Sequence, residues 1–441
     1  MEQRGSNSPA NTNEFFSRRE IVTAQLSRLR ELLATVVPAN RFYQGKLGAL
    51  SLDAPISTLE AFSRICPFTF KDELVKDQVT HPPYGSRLTF PLARYTRCHQ
   101  TSGTSGVPLR WLDTPESWES MIDSWKQVYR AAGVTPLDRI FFAFSFGPFI
   151  GFWLAFEAGA QIGCLCLPGG GLSSEARLRS IIDHGATVLC CTPTYAIRLA
   201  EIAADEKISL NSTRVKTIIV AGEPGGSIPS TRARLEQLWP GARIFDHHGM
   251  TEVGPVTYEC PVRPGILHLI ESAYFPEVID PTTGEAAASG AAGELVLTTL
   301  TRTASPLLRY RTGDLVKFSC GSDGQPCPCG RYELALEGGI LGRVDDMIVV
   351  RGVNIFPSAV EEILRQFSEV GEFQVQINHA QALAEMKIQV EPIDAAVDVR
   401  SLAARLEKAF LTAFALRVPV SGVAIGALPR FEHKAKRWLK S

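Results

Sequence analysis

Between residues 137 and 247, short apolar runs alternate with segments whose apolar positions recur every three or four residues. The runs at 140–146, 163–167, 187–191, 215–221 and 242–247 carry apolar residues on both faces, which predicts strands buried on both sides. The stretches between them, 149–160, 174–184, 194–205 and 227–239, have the spacing of helices. Strands and helices in strict alternation imply a parallel sheet between two helical layers. Upstream, Ile21, Leu26, Leu29, Leu32, Leu33 and Val36 fall at helical spacing and mark an amphipathic helix over 19–37.

The pattern changes after residue 267. Runs such as GELVLTTL and LLRYRTGDLVKF, rich in Thr, Val and Gly, predict an antiparallel or barrel-like subdomain over 267–317. Beyond residue 345 the order becomes strand 347–350, helix 358–367, strands 372–377 and 385–390, helix 399–416 and strand 422–425. The expected fold is therefore α/β, with a large layered N-terminal domain (1–344), its barrel-like subdomain, and a small mobile α+β domain at the C-terminus (345–441).

Composition narrows the function. The 441 residues are 45% hydrophobic and 21% charged, ordinary for a folded globular chain. Lys plus Arg (45) balance Asp plus Glu (46), so the basic footprint of a nucleic-acid binder is missing. The first twenty residues lack the apolar core of an export signal, and a cytoplasmic location is expected. The uncharged stretch 140–156 is broken by Gly147-Pro148 and falls short of the roughly 18 unbroken apolar residues of a membrane span. Of the ten cysteines, Cys164, Cys166, Cys190 and Cys191 lie in apolar strands and read as reduced core residues. Cys327 and Cys329 cluster in a polar context instead.

The sharpest local signal is Thr101-Ser102-Gly103-Thr104-Ser105-Gly106-Val107-Pro108. Its glycines let backbone N–H groups turn inward and its hydroxyls add donors, a composition suited to phosphate oxygens, although the Gly-Lys-Ser/Thr of a Walker A loop is missing. Further motifs follow in order: Ala221-Gly222-Glu223-Pro224, His247-His248-Gly249-Met250-Thr251-Glu252, Tyr310-Arg311-Thr312-Gly313-Asp314, Gly342-Arg343-Val344-Asp345-Asp346, Arg351 to Pro357, and Pro429 to Arg437 with Lys434. This series resembles the adenylate-forming superfamily of acyl-CoA synthetases, and most closely its phenylacetate-CoA ligase branch, from about residue 42 to 437.

The resemblance implies an ATP-dependent aryl-CoA ligase that makes an acyl adenylate and passes the acyl group to CoA. Thr101 to Gly106 would clamp the leaving phosphates, and Gly222, Glu223 and Pro224 would line the nucleotide. Thr251 would donate to the α-phosphate and Glu252 would carry Mg²⁺, a hard cation suited to carboxylate oxygens. Asp314 would accept the ribose hydroxyls with Arg343 in support, and His248 replaces the aromatic residue that lies against adenine. Lys434 would neutralise charge during adenylation; His433 stands where the family has Gly, which leaves Lys436 and, more weakly, Lys440 as alternatives. Asp345 matches the hinge about which the small domain turns.

The acid pocket belongs at the C-terminal ends of the parallel strands, with Phe144, Phe146, Gly147, Phe149, Tyr195, His247, Gly249 and Met250 as its candidates. Aromatic walls suit a small aromatic acid such as phenylacetate, benzoate or anthranilate, and His247 is placed to meet a polar ring substituent or, alternatively, to cap the strand end. Cys327 and Cys329, with Cys260 and His268, form a candidate Cys₃His zinc site of structural type. Three matters stay open: whether the thiol belongs to CoA or to a carrier protein's phosphopantetheine, whether the chain is a monomer or a homodimer, and whether a nucleotide-binding protein without turnover is the better description.

Overall fold

The computed structural model describes residues 17–48, 56–101, 108–288, 290–320, 324–344, 346, 348–350, 353–378, 385–431 and 436–440. The helix expected over 19–37 is Arg18–Ala39, opened by a capping box in which Ser17 and Glu20 satisfy each other's backbone N–H. Its buried Leu29, Leu32, Leu33 and Val36 pack on Tyr43, Leu59, Phe62, Leu300 and Leu308.

Five parallel strands form the central sheet in the order Leu165–Pro168, Arg139–Phe142, Val188–Cys191, Thr217–Val220, Arg243–Asp246. Because strand side chains alternate between faces, Ile140, Phe142, Val188, Cys190, Ile219 and Phe245 enter one core. Phe141, Leu189, Cys191, Ile218, Val220 and Ile244 enter the other. Helices Ser174–Asp183, Pro193–Asp205 and Pro229–Leu238 cover the second face. The first is covered by Trp153–Gln161 and by Pro115–Ala132, an unexpected helix whose Trp118, Met121, Trp125, Val128 and Tyr129 are buried.

Two expected elements are shorter than their apolar runs. The strand ends at Phe142 and the helix begins only at Trp153. The Phe142 carbonyl accepts from the N–H groups of both Phe144 and Gly169, so the chain turns out of the sheet there. The apolar residues 143–152 instead make a loop in which Phe144 meets Phe146, Phe149 and Phe152 edge-on, with centroids 5.8, 5.4 and 5.3 Å apart.

The barrel-like region is a seven-stranded antiparallel sheet that starts at Thr257–Glu259 and draws in Ala335–Glu337 and Gly342–Arg343; its end strands do not pair with each other. The small domain has its own core, running from Ile348 to Val420. Its strands Val370–Asn378 and Glu385–Pro392 are antiparallel, and Val420–Gly422 and Trp438–Lys440 flank them in parallel. Among the described residues no helix is long and apolar enough to cross a membrane.

The aromatic loop depends on Gly151, whose φ is +39° and whose added Cβ would lie 2.2 Å from Cζ of Phe144. Gly151→Ala should therefore lower stability by about 1–3 kcal/mol in urea unfolding; an unchanged midpoint would contradict this packing.

Candidate active site

Loops at the C-terminal edge of the parallel sheet, the usual ligand edge of such sheets, gather most of the expected residues. After Val188–Cys191, Thr192 caps helix Pro193–Asp205 by accepting from the Tyr195 N–H. After Thr217–Val220 comes Gly222, exposed and with φ +94°, and then Glu223, whose Oε1 accepts from the Thr194 N–H at 2.8 Å. Glu223 thus braces the start of that helix.

His247 and His248 follow the edge strand Arg243–Asp246. His247 is buried, its ring centroid 4.4 Å from that of Trp125, and its Nδ1 lies 2.6 Å from the Thr257 carbonyl. A carbonyl only accepts, so Nδ1 carries the proton and Nε2 is an acceptor. Burial holds this imidazole down to about 3, which keeps it neutral. Of its two expected roles, the strand-end anchor is the one these contacts display.

His248 turns the other way. Its N–H donates to Thr257 Oγ1 at 2.9 Å, and its Nε2 lies 3.0 Å from Asp314 Oδ2. The other Asp314 oxygen accepts from Arg343 at 3.0 Å, across the register that pairs these two residues. His248 Nε2 and Asp314 Oδ2 are both buried, yet neither completes an aligned hydrogen bond. Buried polar atoms left this way are costly unless a polar ligand or water completes them, so the pair fits a hydroxyl-bearing ligand such as a ribose.

Thr251 and Glu252 sit in the turn of the hairpin Gly249–Met250 with Gly254–Pro255. Their carbonyls accept from one Arg302 nitrogen at 3.0 and 2.8 Å. Arg302 also grips both Asp113 oxygens at 2.7 Å, and both side chains are buried. The Glu252 carboxylate is nearly buried, 3.3 Å from Lys71 Nζ. Local motifs carry no trace of Lys71, Asp113 or Arg302, since the three lie far apart in sequence.

Thr101 closes the hairpin of Arg97–Gln100 with Arg110–Asp113, its Oγ1 accepting from the Leu109 N–H at 3.1 Å. Ser102, Gly103, Thr104, Ser105, Gly106, Asp345 and Lys434 lie outside the described residues. Phe144, Phe146, Gly147, Phe149, Gly249 and Met250 are half-buried around the same edge. Tyr195 departs from its expected place in the acid pocket: it is 1% exposed, and its hydroxyl bonds Ser174 Oγ and Arg177, each at 2.8 Å. The fixed start of its helix directs the ring into the core.

Away from this edge, the ligand atoms of Cys260, His268, Cys327 and Cys329 converge within 4.8 Å of one another. Cys260 follows the strand Thr257–Glu259, and His268 lies on the adjacent strand Ile266–Leu269. Cys329 Sγ is 3.3 Å from His268 Nε2, and Cys260 Sγ is 3.8 Å from Cys327 Sγ. The Arg263 N–H donates to Cys260 Sγ, while His268 Nδ1 faces the Glu333 carbonyl at 3.4 Å and leaves Nε2 to the cluster. Three free thiols and one imidazole so arranged fit tetrahedral zinc.

Comparison with known proteins agrees with this geometry. Residues 100–301 match the AMP-binding enzyme family, and residues 352–440 match the AMP-binding enzyme C-terminal domain. The phenylacetate-coenzyme A ligase of Thermus thermophilus is 34% identical over 86% of this chain and 83% of its own length. That of Pseudomonas putida is 31% identical over 93% and 92%. The chain belongs to the adenylate-forming AMP-binding enzymes, in the branch of the phenylacetate-coenzyme A ligases.

Among solved structures, 2-hydroxyisobutyryl-CoA ligase in its postadenylation state superposes with a TM-score of 0.92, at 26% identity over 100% of this chain and 95% of that one. In its thioesterification state it gives 0.71, at 28% identity over 96% and 90%. The present arrangement is thus more similar to the postadenylation state of that relative than to its thioesterification state.

Breaking one partner of the Asp113–Arg302 pair leaves a buried charge uncompensated. Arg302→Met should cost about 3–5 kcal/mol in chemical denaturation, and adding Asp113→Asn should restore part of it. A loss below about 1 kcal/mol would place the pair among exposed ion pairs of little consequence.

Proposed function

We propose that the chain is an ATP-dependent, AMP-forming ligase that joins a small aromatic carboxylic acid to CoA. An oxygen of the acid attacks the α-phosphorus of ATP and pyrophosphate leaves. The CoA sulfur then attacks the acyl carbon and AMP leaves. The observation that carries this reading is buried Asp314, one oxygen held by Arg343 and the other left incomplete beside His248, in a chain aligned over 86% and 93% of its length with two phenylacetate-coenzyme A ligases.

In this reading Asp314 and Arg343 take the ribose, and His248 lies on the nucleotide side. Thr251 reaches the α-phosphate, the loop from Thr101 to Gly106 takes the leaving phosphates, and Lys434 meets the charge that spreads in the transition state. Glu252 is the residue that would hold Mg²⁺, which supplies charge neutralisation at the phosphates when bound. Half-buried aromatic rings at the same edge favour a flat acid. The structural likeness to 2-hydroxyisobutyryl-CoA ligase favours a second reading, a short branched hydroxy acid, for which the Nε2 acceptor of His247 offers a partner.

Acid-dependent pyrophosphate release, measured over benzoate, anthranilate, salicylate, phenylacetate and 2-hydroxyisobutyrate, tests both. An aromatic acid should lead; a lead by 2-hydroxyisobutyrate selects the second reading, and silence with every acid defeats the ligase assignment. Lys434→Ala should slow acyl-AMP formation by about 10²-fold or more while CoA capture of supplied acyl-AMP continues. If Lys436→Ala shows that pattern instead, the role passes to Lys436.

We assign Cys260, His268, Cys327 and Cys329 to structural zinc. Protein purified without chelator should contain about one zinc per chain, and Cys327→Ser should lower Tm more than it changes the KM for ATP. Metal-free protein of undiminished stability would refute this assignment.

A further inference from the structure

Helix Pro229–Leu238 begins without a side-chain cap of its own, since Ile228 occupies that position. An acceptor for its first turn arrives from the small domain: Glu362, on helix Pro357–Arg365, accepts from Ser230 Oγ at 2.9 Å and from the Ser230 N–H at 3.4 Å. A carboxylate there also meets the positive end of the helix dipole. The neighbouring helix Pro193–Asp205 is met at its start as well. There Arg437 lies 3.5 Å from Thr194 Oγ1, and the Thr194 N–H is the one held by Glu223.

Arg437 is well anchored in its own domain. It binds both Glu372 oxygens at 2.6 and 3.1 Å, lies 3.7 Å from Glu361, and has a side chain only 6% exposed. Burial pushes the Glu372 carboxyl up, but the Arg437 guanidinium, Arg365 and the Phe373 N–H together hold it below its usual range. Arg365 completes a set of two cations and two carboxylates inside the small domain. Arg437 therefore belongs both to this buried ion set and to the contact with Thr194, whereas Glu362 reaches Ser230 from outside the set. Both grips fall on helices that start directly after the loops at 192 and 222–226, at the rim where the nucleotide is proposed to bind.

We propose that Glu362 and Arg437 are positioning residues that form a two-point latch, holding the small domain in the present arrangement, which in this proposal serves acyl-AMP formation and persists once the adenylate has formed, as in the relative's postadenylation state. The proposal rests on the two-step ligase reading. A latch stabilises one arrangement only, so its removal shifts the ratio of the two arrangements without altering either site. Glu362→Gln and Arg437→Gln should each slow acyl-AMP formation from phenylacetate by about tenfold, while CoA capture of supplied phenylacetyl-AMP is unchanged or faster.

Disulfide trapping gives a readout independent of turnover. Protein carrying Ser230→Cys with Glu362→Cys should cross-link on oxidation, retain acyl-AMP formation and stop CoA capture until reduced. Adding Arg437→Gln should slow the cross-linking. Equal loss of both half-reactions in the single variants, CoA capture at full rate by the cross-linked protein, or cross-linking indifferent to Arg437→Gln would overturn the latch. Wild-type protein that releases no pyrophosphate with any acid would defeat the ligase reading instead, and the cross-linking rates would still decide the latch.

Discussion

One buried ion pair joins the parts that must cooperate. Asp113 closes the strand that returns from the Thr101 loop, and Thr114 beside it caps helix Pro115–Ala132. Arg302 lies just beyond the strand Ala292–Thr299 of the antiparallel sheet. By binding Asp113 and the carbonyls of Thr251 and Glu252 together, Arg302 fixes the hairpin of Arg97–Gln100 with Arg110–Asp113, the Glu252 turn and the second sheet against one another. The guanidinium groups of Arg87 and Arg302 both lie over the fully buried Trp111 ring, 4.5 and 5.5 Å from its centroid. In so dry a place the attraction is strong, and so is the penalty for leaving either charge alone.

A second constraint runs along the short strand Thr257–Glu259. Thr257 fixes both histidines, through its carbonyl to His247 and its hydroxyl to His248. Glu259 is buried beside Arg232 and accepts from the Asp246 N–H, so it ties the strand to the parallel sheet. The next residue, Cys260, belongs to the cysteine–histidine cluster. Thr257, Glu259 and Cys260 thus connect the cysteine–histidine cluster to the two histidines at the sheet edge, whose positions are set partly by this neighbouring strand.

The half-buried aromatic loop shows how a sheet can release apolar side chains at its ligand edge. Phe144 and Phe146 continue an apolar run that by pattern alone belongs in the strand. The sheet releases them because Phe142 spends its carbonyl on Phe144 and Gly169, and the rings then pack edge to edge in front of the helix at Trp153.

Local pattern alone determined much of this protein. Runs that are apolar on both faces marked the buried strands of the covered sheet, although one of them overran its strand at Phe142, and the spacing in 19–37 and 399–416 marked amphipathic helices. Motif order along the chain singled out His248, Asp314 and Arg343, and the polar context of Cys327 and Cys329 singled out that pair with Cys260 and His268 as its candidate partners, four ligand atoms that the fold then gathers. Tertiary structure decided what depends on distant partners. Tyr195 was drawn from the pocket into the core by Ser174 and Arg177. Lys71 was brought to Glu252, Arg302 to Asp113, and Glu362 to a helix in another domain. The reason is physical: periodicity records which face of an element is buried, whereas the partner of a charge is chosen by the packing of elements that meet only after the chain has folded.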